Sequence, residues 1–326
     1  MHSSKILLAT KSMATVACGV LWFSPYAIAQ ESIRSNVTIV VPYPAGGGND
    51  IFARLIAAKM RTEPGGRIVV ENRTGASGNI GTASVVRAPA DGNTLLYAAS
   101  TLAINGWVNK NIGFDAGQDL RAVTITLSIP FVLAVHPSLP ATSTKALIAL
   151  AKKHAGELTF SSGGVGSANH FAMEAFKLKA QVDLRHIPYR GAAPALTALV
   201  SGETQASFLV PPLVIPQLNN GKLRALGISS TTRLKVLPNV PPLQEVGAPG
   251  FQAVQWHGFF VSAKTPMDVI RRLQPIISEA LNSPELTERI ESAGATRLDY
   301  DTERSQSFFL SEIKYWGEVV KGARLD

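Results

Sequence analysis

Apolar residues fall along this chain in two rhythms. Short runs of β-branched and aliphatic residues alternate with stretches in which apolar side chains recur every three to four positions. Val37-Thr-Ile-Val-Val41 predicts a buried strand, and residues 49–60 predict a helix with Ile51, Phe52, Leu55 and Ile56 on one side. Further strands are expected at 67–70, 94–98, 131–135, 158–161, 184–187, 206–210, 224–228 and 256–261. Thr142 or Ser143 is placed to cap a helix running through Ala151, and Ser167 opens another. A helix starting near Pro194 ends by Gly202, and three more begin near Pro266, Pro284 and Thr302. The last carries Phe309, Ile313, Trp316 and Val320 at helical spacing, while Pro275 is expected to kink or split the helix around it. Strands alternating with helices predict parallel sheets covered on both faces. Pro238, Pro241, Pro242 and Pro249 mark a long surface connection between Ile228 and Trp256.

The first residues follow neither rhythm. Lys5 and Lys11 precede an apolar run at 13–23, and Ala27-Ile28-Ala29 offers small residues for cleavage. Residues 1–29 therefore read as an export signal cut after Ala29, with lipoprotein processing at Cys18 as the alternative. The run is shorter than the roughly 20 apolar residues a membrane-spanning helix needs. Cys18 is the one cysteine of the chain, so the exported protein is expected to use no disulfide and to rest on two ordinary apolar cores. The setting expected is the periplasm.

The formal net charge of +8 is dispersed. It favours anionic ligands by steering, and it forms no basic cluster of the kind that binds nucleic acid.

Chemistry is expected at three turns. Pro42-Tyr-Pro-Ala-Gly-Gly-Gly-Asn-Asp50 joins a strand to a helix, where glycines let backbone approach a ligand and free first-turn amides attract an anion. Candidate contacts are Tyr43, Ala45, Gly46, Gly47, Gly48, Asn49 and Asp50; Asp50 reads equally as an acid capping the helix. Neither the dinucleotide fingerprint nor the phosphate-loop triplet fits, because Ile51 stands where a third glycine belongs and no Gly-Lys-Ser/Thr follows. Ser161-Ser-Gly-Gly-Val-Gly-Ser-Ala-Asn-His170 repeats the strand, glycine turn and helix, with Ser162, Gly164, Gly166, Ser167 and Asn169 as candidates. In Ile187-Pro-Tyr-Arg-Gly191, Tyr189 offers a ring or hydroxyl and Arg190 a charge, against the plainer reading of a structural turn. Two such loops in different halves predict a cleft beyond the carboxyl ends of the strands.

Signs of catalysis are few. There is no Gly-x-Ser-x-Gly elbow, and His136, His154, His170, His186 and His257 lack close metal-ligand spacing. No metal or cofactor is expected. A hydrolase reading rests on Ser162 or Ser167 with His170.

The ordered motifs carry a resemblance. They are Pro42-Tyr43 with Gly46-Gly47, Asp50 and Arg54; Val70-Glu-Asn-Arg-Thr-Gly-Ala76; Pro89-Ala-Asp-Gly-Asn-Thr-Leu-Leu96; and His136-Pro-Ser-Leu-Pro140. Residues 162–170, His186-Ile-Pro-Tyr-Arg-Gly191, Gly221-Lys-Leu-Arg-Ala-Leu226, Pro238-Asn-Val-Pro241 and Trp256-His-Gly258 follow. From Val37 to the C-terminus the chain resembles the Bug-type receptors of tripartite tricarboxylate transporters. That resemblance implies a type II periplasmic binding protein fold, an α/β architecture of two lobes around a ligand cleft. Lobe 1 is expected at 30–132 and 255–326, and lobe 2 at 133–254. It implies a non-enzymatic receptor that passes a small carboxylate to membrane transporter subunits, and we expect it to be a monomer. A sensor presenting its closed form to a membrane signalling protein would use the same clamp. Two departures stand out: Ala45 replaces the family's usual proline, and Leu209 occupies a position where relatives commonly carry aspartate. Losing that acid favours a ligand without an ammonium group, a di- or tricarboxylate or an aromatic acid.

Overall fold

The computed structural model describes residues 36–109 and 111–323; the expected leader, its cleavage point after Ala29 and Cys18 lie outside these residues. The chain begins β1 (Val37–Val41), α1 (Gly48–Ala57), β2 (Ile68–Asn72), α2 (Asn79–Val86), β3 (Thr94–Ala99), α3 (Thr101–Val108) and a short α4 (Ala116–Asp119). It continues through β4 (Leu120–Pro130), β5 (Val132–Val135), α5 (Thr144–Lys153), β6 (Thr159–Ser162) and α6 (Ala168–Ala180). Then come β7 (Arg185–Pro188), α7 (Ala192–Val200), β8 (Ala206–Leu209), α8 (Pro211–Asn219) and β9 (Arg224–Ile228). The last elements are β10 (Val254–Ser262), α9 (Met267–Leu281), α10 (Pro284–Ser292), β11 (Thr296–Arg297) and α11 (Thr302–Gly322).

Two sheets organise these elements, in the orders β11-β4-β10-β3-β1-β2 and β7-β6-β8-β5-β9. Both are mixed, not wholly parallel as the alternation of strands and helices predicts. β1 pairs in parallel with β2 and β3, but β10 runs antiparallel to β3 and β4. In the second sheet β6 is parallel to β7 and β8, while β5 is antiparallel to β8 and β9. The reason is the route of the chain. β4 leaves the first sheet and becomes β5 of the second after Phe131 alone, and β9 returns to the first sheet as β10. A strand entering from the other sheet does not arrive by a right-handed helical crossover, so it is free to pair antiparallel.

β4 has no counterpart among the expected strands. Its residues Thr124 and Thr126 read as polar but are fully buried, their hydroxyls donating to the carbonyls of Tyr300 at 2.8 Å and His257 at 3.0 Å. α9 stays one helix through Pro275, held by its buried stripe of Ile270, Leu273, Ile276, Ile277 and Leu281. The 229–253 connection is not a surface loop throughout: Leu243, Ala248 and Phe251 are buried, and Phe251 stacks on Phe208 with centroids 5.8 Å apart. Burying a phenylalanine contributes about 1.5–3 kcal/mol, enough to pin that segment to the second sheet. Trp256, Phe260, Phe309 and Trp316 fill the core where α11 covers the first sheet, and α11 also packs against α6 of the second.

Candidate functional site

At the end of β1 the chain turns through Gly46, whose φ of +77° suits glycine, into α1. Asp50 is 3% exposed, and its carboxylate is spent on the turn itself. It accepts from the Gly46 amide at 2.8 Å, from Arg54 Nε at 3.0 Å and from Asn72 Nδ2 at 2.9 Å. Asn72 Nδ2 also reaches the Tyr43 carbonyl at 3.1 Å, so β2 and α1 clamp the loop from both sides. Burial raises the Asp50 pKa, but the bonds from Arg54, Gly46 and Asn72 outweigh it, and the carboxyl lies below its usual range. Asp50 is thus a positioning residue for the loop. Tyr43 turns its hydroxyl to that of Thr101, and burial raises its pKa, keeping it protonated.

The second turn is held in a comparable way. Ser162 accepts from the Gly164 amide at 3.1 Å, and Asn169 accepts from Gly163 at 3.3 Å while donating to the Phe208 carbonyl at 3.3 Å. Gly164 has φ +117°, and a Cβ there would lie 3.1 Å from the Tyr189 carbonyl, so a side chain would be strained and crowded. Ser167 stands at the N-cap of α6, yet its hydroxyl donates to the Gly164 carbonyl at 2.6 Å and does not cap the helix.

Behind this turn lie two stacked imidazoles, His170 and His186, with centroids 3.9 Å apart, and Phe160 lies near-parallel to both, 4.8 Å from His186 and 6.2 Å from His170. Burial pushes His170 down to about 3, helped by His186 and Lys177, and pushes His186 down to about 4. Neutral His170 accepts the Gly166 amide on Nδ1 at 3.4 Å, and Ser162 Oγ lies 2.6 Å from His186 Nε2. The pair that the hydrolase reading needs is therefore not formed. Ser162 is partnered by His186, and Ser167 by a backbone carbonyl. Ser162 is fully buried, so its hydroxyl braces the turn and is closed to a substrate.

The third turn contributes backbone. Gly191 donates to the Gly163 carbonyl at 3.2 Å and opens α7 without a side-chain cap. Tyr189 points away to Glu203, donating at 2.7 Å, and Arg190 is exposed.

These turns face one cavity of about 250 Å³. From the first sheet it is lined by Tyr43, Asn49, Ala99, Thr101 and Gln255. From the second sheet come Gly163, Ser167, Ala168, Asn169, Gly191 and Ala192, with Phe131 where the chain crosses. Its remaining wall is Phe208, Leu209, Val210 and Leu213. Of the residues expected from sequence, Tyr43, Asn49, Ser167 and Asn169 line it; Ala45, Gly46, Gly47, Gly48, Asp50, Ser162, Gly164, Gly166, Tyr189 and Arg190 stand outside its lining. Asp50, Ser162 and the glycines shape the turns. Thr101 and Gln255 escape sequence reading because they follow β3 and sit on β10, strands that carry no glycine turn.

Among the described residues, no charged side chain lines this cavity. Its anion-directed groups include the starts of α1, α6 and α7, none of which has a side-chain cap; the start of α3 at Thr101 also lines it without one. Away from the cavity, α4, α5, α10 and α11 are capped by Asp115, Ser143, Ser283 and Asp301, whereas α2 and α9 have no side-chain cap. Leaving a cap off costs about 0.5–2 kcal/mol per helix and leaves amides open to a guest. Ser100, between Ala99 and Thr101 but outside the lining, has a buried hydroxyl with no partner among the described residues.

A larger cavity of about 560 Å³ lies among Ser128, Arg233, Lys235, Gln252, Glu291 and Arg297. Its cations are already engaged: Arg233 with Glu245 at 3.2 Å, Lys235 with Glu291 at 2.9 Å, and Arg297 with the Asn282 side chain. It joins none of the three turns, so the smaller cavity is the candidate site.

Comparison with known proteins agrees with this geometry. The profile described as "Tripartite tricarboxylate transporter family receptor" matches residues 52–325. Protein BugT of Bordetella pertussis is 35% identical over 293 residues, covering 89% of this chain and 90% of that one. The solved structure of R. palustris Rpa4515 with adipate has a TM-score of 0.77 and 32% identity, covering 89% and 97% of the two chains. MatC (Rpa3494) from Rhodopseudomonas palustris with bound malate has a TM-score of 0.73 and 29% identity, covering 88% and 99%.

Proposed function

The chain belongs to the tripartite tricarboxylate transporter receptor family, with its two-lobed type II periplasmic binding fold, and we propose that it captures a small organic acid between the lobes for delivery to membrane transporter subunits. The observation that carries the reading is the uncharged cavity onto which three uncapped helix starts converge. A carboxylate there takes hydrogen bonds from amides and hydroxyls, each worth about 1.5–3 kcal/mol to a charged acceptor. Each helix start adds about 0.3–1 kcal/mol, up to about 2 when partly buried. We assign lobe 1 to 30–132 with 255–326 and lobe 2 to 133–254, with residues 1–29 as the export signal and the periplasm as the site of action. The receptor works as a monomer.

With Leu209 at the end of β8, no carboxylate waits for an ammonium group. An amino acid entering the cleft would bury its cation unpaired, which is costly. Titration calorimetry of the purified chain against organic acids and their 2-amino derivatives is expected to show binding of the acids, weakened at least tenfold by the amino group. Tighter binding of the amino acids would overturn the assignment. Deleting the gene is expected to abolish uptake of the bound acid; a change in transcription with uptake intact would instead favour the sensor.

A further inference from the structure

The wall formed by Phe208, Leu209, Val210 and Leu213 has a feature that the other walls lack. It ends β8 and starts α8, so by topology it is another helix start facing the cleft, beside those of α1, α3, α6 and α7. Such a start normally presents free amides to an anion. Here it presents none. Pro211 and Pro212 have no N–H, and the amides of Leu213 and Val214 both donate to the Val210 carbonyl, at 3.1 and 3.3 Å. Apolar side chains cover the same stretch, with Leu209 where the chain could have carried an acid or a donor. The cleft therefore has donors at the starts of α1, α6 and α7 and a donor-free apolar face at the start of α8.

We propose that the ligand is a monocarboxylate with an apolar body, a medium-chain aliphatic or aromatic acid. Its carboxylate lies at the open helix starts and its body against Phe208, Leu209, Val210 and Leu213. This rests on reading the cleft as an acid-binding site and narrows it. Adipate and malate, bound in the two related structures, each carry two carboxylates. A second carboxylate set against the α8 wall would lose its water and gain no donor. The cavity of about 250 Å³ lies below the roughly 300–1,000 Å³ of sites for drug-sized molecules, which fits an acid of metabolite size.

The test is calorimetry with matched pairs of equal length: hexanoate against adipate, and 4-methylbenzoate against benzene-1,4-dicarboxylate. The monoacid is expected to bind at least tenfold more tightly in each pair. In Leu213→Lys, a change at a half-buried helical position, the preference is expected to reverse as the ammonium supplies the missing partner. Diacids binding tenfold more tightly to the unaltered chain would overturn the monocarboxylate assignment and leave the acid-receptor reading standing. A preference unmoved by Leu213→Lys would place the second end of the ligand elsewhere and also overturn it. Binding of no member of the panel would overturn both.

Discussion

Replacing Asp50 with alanine is expected to weaken acid binding strongly although the cavity lining does not include this side chain. The substitution frees the Gly46 amide, Arg54 and Asn72 together, and the loop leading into α1 loses the contacts that aim it. Loss of hydrogen bonds to a charged acceptor costs about 1.5–3 kcal/mol, which corresponds to an affinity loss on the order of thirtyfold if the loop is aimed only in the bound form. Asp50→Asn keeps one accepting oxygen and recovers part of the affinity. Calorimetry on the two variants checks this. An Asp50→Ala protein that binds as tightly as the original would show that the loop needs no internal clamp. Tighter binding would show that the negative charge of Asp50 had been repelling the ligand.

Acid is expected to weaken the fold, with buried histidines setting the window. Burial pushes His257 down to about 3 from its ordinary 6.5, alongside His170 at about 3 and His186 at about 4. Above pH 6.5 these rings are neutral whether the chain is folded or not, and their contribution is fully present. As the pH falls from about 6.5 toward 4, the unfolded chain takes up protons that the native one refuses, and stability drops. Burial raises Glu174 and Glu312, which act in the opposite direction. His257 isolates one proton. It sits edge-on to Phe52 and Tyr97, with Tyr97 Oη 3.3 Å from Nδ1 and Gln255 3.0 Å from Nε2. His257→Gln keeps a polar group there and removes the titration. Urea unfolding between pH 4.5 and pH 5.5, below the ordinary 6.5 and above the native value of about 3, is expected to show a dependence shallower by about one proton, about 1.4 kcal/mol per pH unit. An unchanged slope would mean that His257 is charged, or reached by water, in the native protein.

These two predictions also show where sequence reading succeeds and where it stops. The Gly46 and Ser162 turns are legible because glycine runs between a strand and a helix have few other uses. The role of Asp50 is not, since Arg54 and Asn72 reach it from one helical turn and one strand away, and capping and ligand contact look alike in sequence. Leu209 stands out in sequence only through the resemblance, which implies an aspartate at that position. That it belongs to a wall with Val210 and Leu213 depends on α8, whose three prolines hide a helix start compatible with proline in its first turn. β4 is obscured by threonines that read as solvent-facing but bond inside the core. Mixed sheets follow from chain crossings after Pro130 and before Val254, and a pattern of alternating strands and helices carries no mark of strand direction. The His186 brace for Ser162 joins residues 24 positions apart in neighbouring parallel strands, beyond what local spacing can reveal.

The central claim is that a carboxylate sits where the starts of α1, α6 and α7 meet. Diffraction from crystals grown with the tightest acid of the panel tests it most directly. The account predicts carboxylate oxygens within about 2.7–3.2 Å of donors drawn from those three helix starts and from Thr101, with the acid's body against Leu209 and Leu213. An acid held instead by Arg233, Lys235 and Arg297 in the larger cavity would contradict it.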